Sequence, residues 1–140
     1  MHIRLPYFIF TLAIITSLFS CNSNPDLSKE YIQGTWECYD YEIEDTSLSP
    51  QQQNQVRSTV LSTAYVFEDS VLHIKNEYIH VACACTYDFE KSTIAYTQIN
   101  NSYIQPSSFI ILEHTPNTMV LEETVSGSRS RMHLQRVEEK

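Results

Sequence analysis

Alternate residues Ile79, Val81, Cys83, Cys85, Tyr87 and Phe89 form an unbroken apolar row. Side chains two apart share a face only in a pleated strand, so the row predicts a strand over 79–89 with this face buried. A strand cannot stand alone, because its backbone edges and its apolar face both need neighbours. Further runs of the same kind supply them at 35–43, 64–68, 71–75, 93–99, 109–114, 119–125 and 131–137. Between them fall turn signals: Asp69-Ser70, Asn76-Glu77, Glu90-Lys91-Ser92, Asn100-Asn101-Ser102, Pro116-Asn117 and Ser126-Gly127-Ser128. Connections this short pair consecutive strands as hairpins. Eight strands in such a meander predict an all-β fold, a small antiparallel up-and-down barrel, which closes on itself and leaves no open edge.

One segment departs from the two-residue period. Ser49, Pro50 and Gln52 form a capping-box start with proline at the first helical position, where its missing N–H costs nothing. Val56, Val60, Leu61 and Ala64 then recur on one helical face, which predicts one short helix over 50–63, between the first two strands. It would close one mouth of the barrel or lie along its wall.

The N-terminus belongs to targeting rather than to the fold. A cationic start, His2 and Arg4, precedes an uncharged apolar run over 5–19. That run is shorter than the roughly 20 apolar residues a spanning helix needs, and suits a secretory signal over residues 1–20. Leu18-Phe19-Ser20-Cys21 resembles a bacterial lipobox, which implies diacylglycerol attachment at Cys21 and acyl chains that hold the protein on a membrane. Residues 21–30 then read as lipidated N-terminus and tether, and 31–140 as one domain. The expected location is the cell envelope, lipid-anchored to the outer membrane, with the soluble domain outside the cytoplasm. Removing residues 1–20 takes away Arg4 and no acid, so the nine basic residues become eight against seventeen acids, a formal net charge of −9. Such a surface repels phosphate backbones, and no basic stripe offsets it, so nucleic acid is not an expected partner.

The opening of the first strand is more specific. Gly34-Thr35-Trp36 resembles the Gly-x-Trp start of the lipocalin and lipocalin-like families, and small lipocalin-like lipoproteins of Gram-negative bacteria are the nearest comparison. The resemblance implies a turn that plugs the closed end of the barrel, with the tryptophan beneath its floor. In a closed meander the last strand ends beside the first, and Arg136 shares the parity of Met132 and Leu134. The resemblance then makes Trp36 and Arg136 a barrel-closing pair joined by a cation–π contact worth about 0.5–2 kcal/mol.

With Cys21 acylated, three thiols remain, Cys38, Cys83 and Cys85, so at least one stays unpaired. Two states are open: buried free thiols, or a bond of Cys38 to Cys83 or Cys85, which needs a flattened barrel because strands one and four are not neighbours. A zinc site is not expected: in an extended strand His80 faces away from Cys83 and Cys85. Asp40 and Glu42 share the parity of Trp36 and Cys38, and a bulge near Cys38 to Tyr39 would turn Tyr39, Tyr41 and Ile43 inward instead. No nucleophile elbow, phosphate loop or Ser/His/Asp arrangement is present, so neither catalysis nor a cofactor is expected.

Binding is the remaining class. Three of the six phenylalanines but only one of the nine tyrosines lie in the signal segment, leaving a tyrosine-rich domain. Tyrosine offers apolar area with a polar tip, which suits a half-wet cavity. The leading expectation is a small apolar or amphipathic ligand held by Tyr39, Tyr41, Tyr65, Phe67, Tyr87, Phe89, Phe109 and Ile111. The alternative is a filled barrel acting as a protein-binding envelope module. Ser126-Gly127-Ser128-Arg129 resembles the loop of lysozyme-inhibitor lipoproteins, and equally reads as a hairpin turn.

Overall fold

In the computed structural model, residues 25–45, 47–100 and 105–138 are described. The alternating runs form eight antiparallel strands: β1 (Gly34–Glu44), β2 (Ala64–Glu68), β3 (Val71–Lys75), β4 (His80–Asp88), β5 (Thr93–Gln98), β6 (Ser107–His114), β7 (Thr118–Val125) and β8 (Ser128–Arg136). Each pairs with its sequence neighbours, and β8 returns to β1, so the sheet is a closed barrel. Closure rests on the β1–β8 ladder, which runs from Trp36 opposite Arg136 to Glu44 opposite Arg129. The β1–β2 ladder is much shorter, from Gly34 opposite Phe67 to Glu37 opposite Ala64.

The upper half of β1 therefore has no strand partner on that side. Helix α2 (Pro50–Leu61) lies there instead, along the wall. Its start is the capping box read from Ser49 and Gln52. Arg57 holds it in place, donating to the Tyr41 carbonyl and, at 2.7 Å, to Asp40 Oδ1. Val56, Val60 and Leu61 are half-buried against the core, so the helix covers the gap without sinking into it.

One end of the barrel is a floor. A single helical turn, α1 (Lys29–Ile32), was not expected from the sequence; Ser28 caps it by accepting the Tyr31 N–H. Such a turn leaves its last carbonyls without helical partners. The closing pair takes them up. Trp36 Nε1 donates to the Ile32 carbonyl at 2.8 Å, and Arg136 donates to the carbonyls of Gln33, at 2.7 Å, and Tyr31. The guanidinium carbon stands 4.2 Å from the centroid of the fully buried indole. Tyr31 adds an edge contact to the indole, and its hydroxyl donates to the carbonyls of Thr115 and Thr118 in the β6–β7 turn. His114 meets the Pro25 carbonyl at 2.9 Å, which fixes the incoming chain to this same end.

Gly34 makes the arrangement possible. Its φ of +111° disfavours any other residue, and a Cβ there would stand 3.3 Å from Arg136 Nη1. Above the floor, alternate residues of all eight strands form one apolar core that includes the fully buried Phe67, Leu72, Cys83, Ile94, Phe109, Met119, Leu121 and Leu134.

The ladder shifts between Cys38 and Asp40, which is a bulge. Cys38 and Tyr41 are buried, while Tyr39, 50% exposed, and Asp40 both point outward. The extra residue is absorbed by placing two successive side chains outside, so the expected inward position of Tyr39 is corrected. Of the two open states of the thiols the structure has the buried free one: Cys38, Cys83 and Cys85 are all buried and free, and no bond joins Cys38 to Cys83 or Cys85. Cys38 faces Leu134 of β8 in the ladder, whereas Cys83 pairs with Leu72 of β3 and Gln98 of β5, so β2 and β3 stand between β1 and β4.

Replacing Gly34 by Ala should cost about 1–3 kcal/mol and Arg136 by Ala about 2–4 kcal/mol in urea unfolding. Arg136→Lys should recover little, because one ammonium cannot stack and fork at once. Full recovery by lysine would show that charge alone closes the floor. A thiol reagent should find Cys38, Cys83 and Cys85 only after unfolding, and all three then without reductant.

Candidate functional site

The opposite end of the barrel is a mouth, bounded by the start of α2, the β3–β4 turn, the β5–β6 connection and the β7–β8 turn. The β6–β7 ladder stops short of it, at Phe109 opposite Glu123. Beyond that pair the strands part: Ser107 stays with Tyr96 of β5, and Thr124 and Val125 stay with β8. An open cleft of about 360 Å³ occupies the gap, lined by Tyr96, Gln105, Pro106, Ser107, Thr124, Val125 and Ser126.

Glu123 is not itself among the lining residues; it lies next to the cleft, just before Thr124 in β7. It shares the parity of Met119 and Leu121, both fully buried, so β7 carries a carboxylate on its core-facing side. The Tyr96 hydroxyl donates to Glu123 Oε1. Tyr96 in turn is stacked on Phe109, with ring centroids 4.8 Å apart, so the phenol is held from below by the core. No cation pairs with Glu123 among the described residues.

Three phenols report on this carboxylate. Burial raises the Tyr96 hydroxyl above the usual tyrosine range, and its hydrogen bond to Glu123 raises it further. Burial likewise raises Tyr65, reinforced by the charges of Cys38, Glu123 and Tyr41. Burial raises Tyr41, with Ser130 partly offsetting it and Glu123 adding to it. Tyr96 thus joins the cleft it lines to one half-buried acidic group, with Phe109 of the core beneath. Such a site offers oxygen acceptors to a polar head and apolar side chains to its chain.

The candidates read from the sequence divide among different places. Tyr41 and Tyr65 are buried in the core, Tyr65 opposite Trp36 in the β1–β2 ladder. Tyr87 and Phe89 lie at the floor end, stacked on each other with centroids 5.5 Å apart, and the Tyr87 hydroxyl donates to the Asp69 carbonyl in the β2–β3 turn. Phe67, Phe109 and Ile111 are core side chains, Phe109 meeting the site only as the platform for Tyr96. Tyr39 is on the outer wall. Trp36 and Arg136 seal the floor, and Cys21 lies outside the described residues. Sequence reasoning missed Glu123 and Tyr96. The signal was available for both, since Glu123 alternates with Leu121 and Tyr96 with Ile94.

His80 is exposed while Cys83 and Cys85 are buried. Among the described residues no three His, Cys, Asp or Glu side chains are grouped so as to hold a metal ion. Asp40 and Glu42 point to the outer wall, where they pair with Arg57 and His133.

Comparison of the chain with protein-family models, with curated proteins and with solved structures gave no match. Fold and site chemistry carry the functional argument.

The buried phenols give the fold an alkaline limit. Tyr31, Tyr41, Tyr65, Tyr87 and Tyr96 all ionise above the ordinary value in the folded state, burial being the first cause in each. A raised folded value means that their contribution is complete below about pH 10 and is lost as pH rises through the folded values. Phenolate absorbance should therefore show a late step coincident with loss of β-sheet circular dichroism. Smooth titration of every tyrosine near pH 10, with the sheet intact, would contradict the burial.

Proposed function

We propose that the chain is an envelope lipoprotein of the lipocalin-like kind, whose barrel takes a small amphipathic ligand at its mouth. The observation that carries this reading is the mouth itself: a cleft of about 360 Å³ lined in part by Tyr96, whose hydroxyl is bonded to Glu123, over a core filled by side chains. That volume lies within the range of small-molecule sites. A filled lower barrel limits the guest to the upper end. The contacts of Gly34, Trp36 and Arg136 agree with the floor that the lipocalin resemblance implies.

A protein-binding module would present an assembled aromatic patch. Tyr39 and Tyr78 are exposed, but one lies on β1 and the other in the β3–β4 turn, 39 residues along the chain. The mouth is the better-built site.

Anchoring is the other half of the proposal. No helix among the described residues is long and apolar enough to cross a membrane, and the lipobox-like segment at Cys21 supplies an attachment point. Native mass spectrometry of the protein purified from its own cells should reveal a non-covalent mass that travels with it and is lost on unfolding. A mass accounted for by protein and covalent acyl groups alone, across preparations, would overturn the ligand reading. Cys21→Ser should move the protein from the detergent phase to the aqueous phase on phase separation; unchanged partition would remove the anchor.

A further inference from the structure

We propose that the head group recognised at the mouth is a cation, a protonated amine, and that Glu123 is the residue that selects it. This rests on the reading of the mouth as a ligand site and adds the sign of the charge.

Glu123 differs from the other acids of the barrel. Asp40, Glu42, Glu44, Glu68, Asp69, Asp88 and Glu122 each have a basic partner within ion-pair distance. Asp45 is half-buried, but its carboxylate is taken up by Ser47 and Ser128. The remaining described acids, apart from Glu123, are exposed to water. Among the described residues, Glu123 alone is half-buried on the core side of a strand without a basic partner, and the hydrogen bond it takes comes from Tyr96. A carboxylate offers about four acceptor sites, and among the described residues Tyr96 fills one. Withdrawing it from water without a cation is unfavourable, and a cationic guest restores what is missing.

The surroundings point the same way. Among the described residues, no lysine, arginine or histidine lines the cleft. Arg129 and Arg131, which flank Ser130, the partner of Glu123 in β8, are bound to Glu44 and Glu122. An anionic head would meet Glu123 with nothing to offset the repulsion. An ammonium group gains three donors' worth of contact with carboxylate and phenol oxygens. A hydroxyl head could use the same acceptors but would leave the charge unmatched. The chain's formal net charge of −8 also raises the local concentration of cations around the mouth.

The test compares octylamine, octanol and octanoate, which share one chain length and differ in head charge, by calorimetric titration of the full-length protein at neutral pH. Octylamine should bind about tenfold more tightly than octanol, with octanoate weakest, and added salt should weaken only the amine. Glu123→Gln keeps the shape and should bring the amine down to the alcohol while octanol is unaffected, which also reports that the mouth is intact. Equal binding of amine and alcohol to the wild-type protein, or full amine affinity in Glu123→Gln, would overturn the proposal while leaving the ligand site standing. Failure of all three probes to bind would remove the site and this inference with it. Should Glu123→Gln not fold, the wild-type head-group series and its salt dependence decide alone.

Discussion

The barrel depends on one contact, the guanidinium of Arg136 lying on the indole of Trp36. These residues sit at opposite ends of the domain and face each other across the first pair of the β1–β8 ladder. The contact joins three elements that have little else in common. It fixes where β8 ends, it buries the largest side chain of the chain, and it fills the empty acceptors of the single helical turn beneath. A lone charge over an apolar ring would be costly to desolvate, but here the charge is shared among backbone carbonyls already in need of donors. That coupling explains why glycine is demanded at position 34: the backbone must turn with positive φ and pass within touching distance of the same guanidinium.

Much of this architecture was legible from residue order. The two-residue apolar period located every strand to within a few residues at each end, because one face of each is buried and a slip in register would move that face into water. The Gln52 capping box placed the helix start for the same local reason. What the period could not show was how a bulge distributes its extra residue. Tyr39 and Asp40 compete for one inward position; both go outside, and the chain resumes with Tyr41 within. The floor turn was equally hidden, since Lys29–Ile32 is too short to have a periodic signature and forms by packing against residues remote in sequence.

The site was legible only in part, for a related reason. Aromatic residues on buried parity were taken as equivalent, yet tilt and closure send some to the floor and others to the mouth. Tyr87 and Tyr65 have similar sequence surroundings, yet Tyr87 reaches the β2–β3 turn while Tyr65 stands opposite Trp36. Glu123 stood in an apolar alternation as an acid, and such exceptions to pattern are where function concentrates. The thiols show the converse. Cys83 and Cys85 invite chemistry as a motif, and in the fold they are small core residues.

The grip of His114 on the Pro25 carbonyl sets an orientation. From Cys21 to Pro25 the backbone can reach no further than about 14 Å when fully stretched. With acyl chains at Cys21, as proposed, the sealed end would ride close to the lipid headgroups and the tyrosine-lined opening would look away from the bilayer. A guest would then arrive from the aqueous side, and not by lateral transfer out of the leaflet to which the protein is moored.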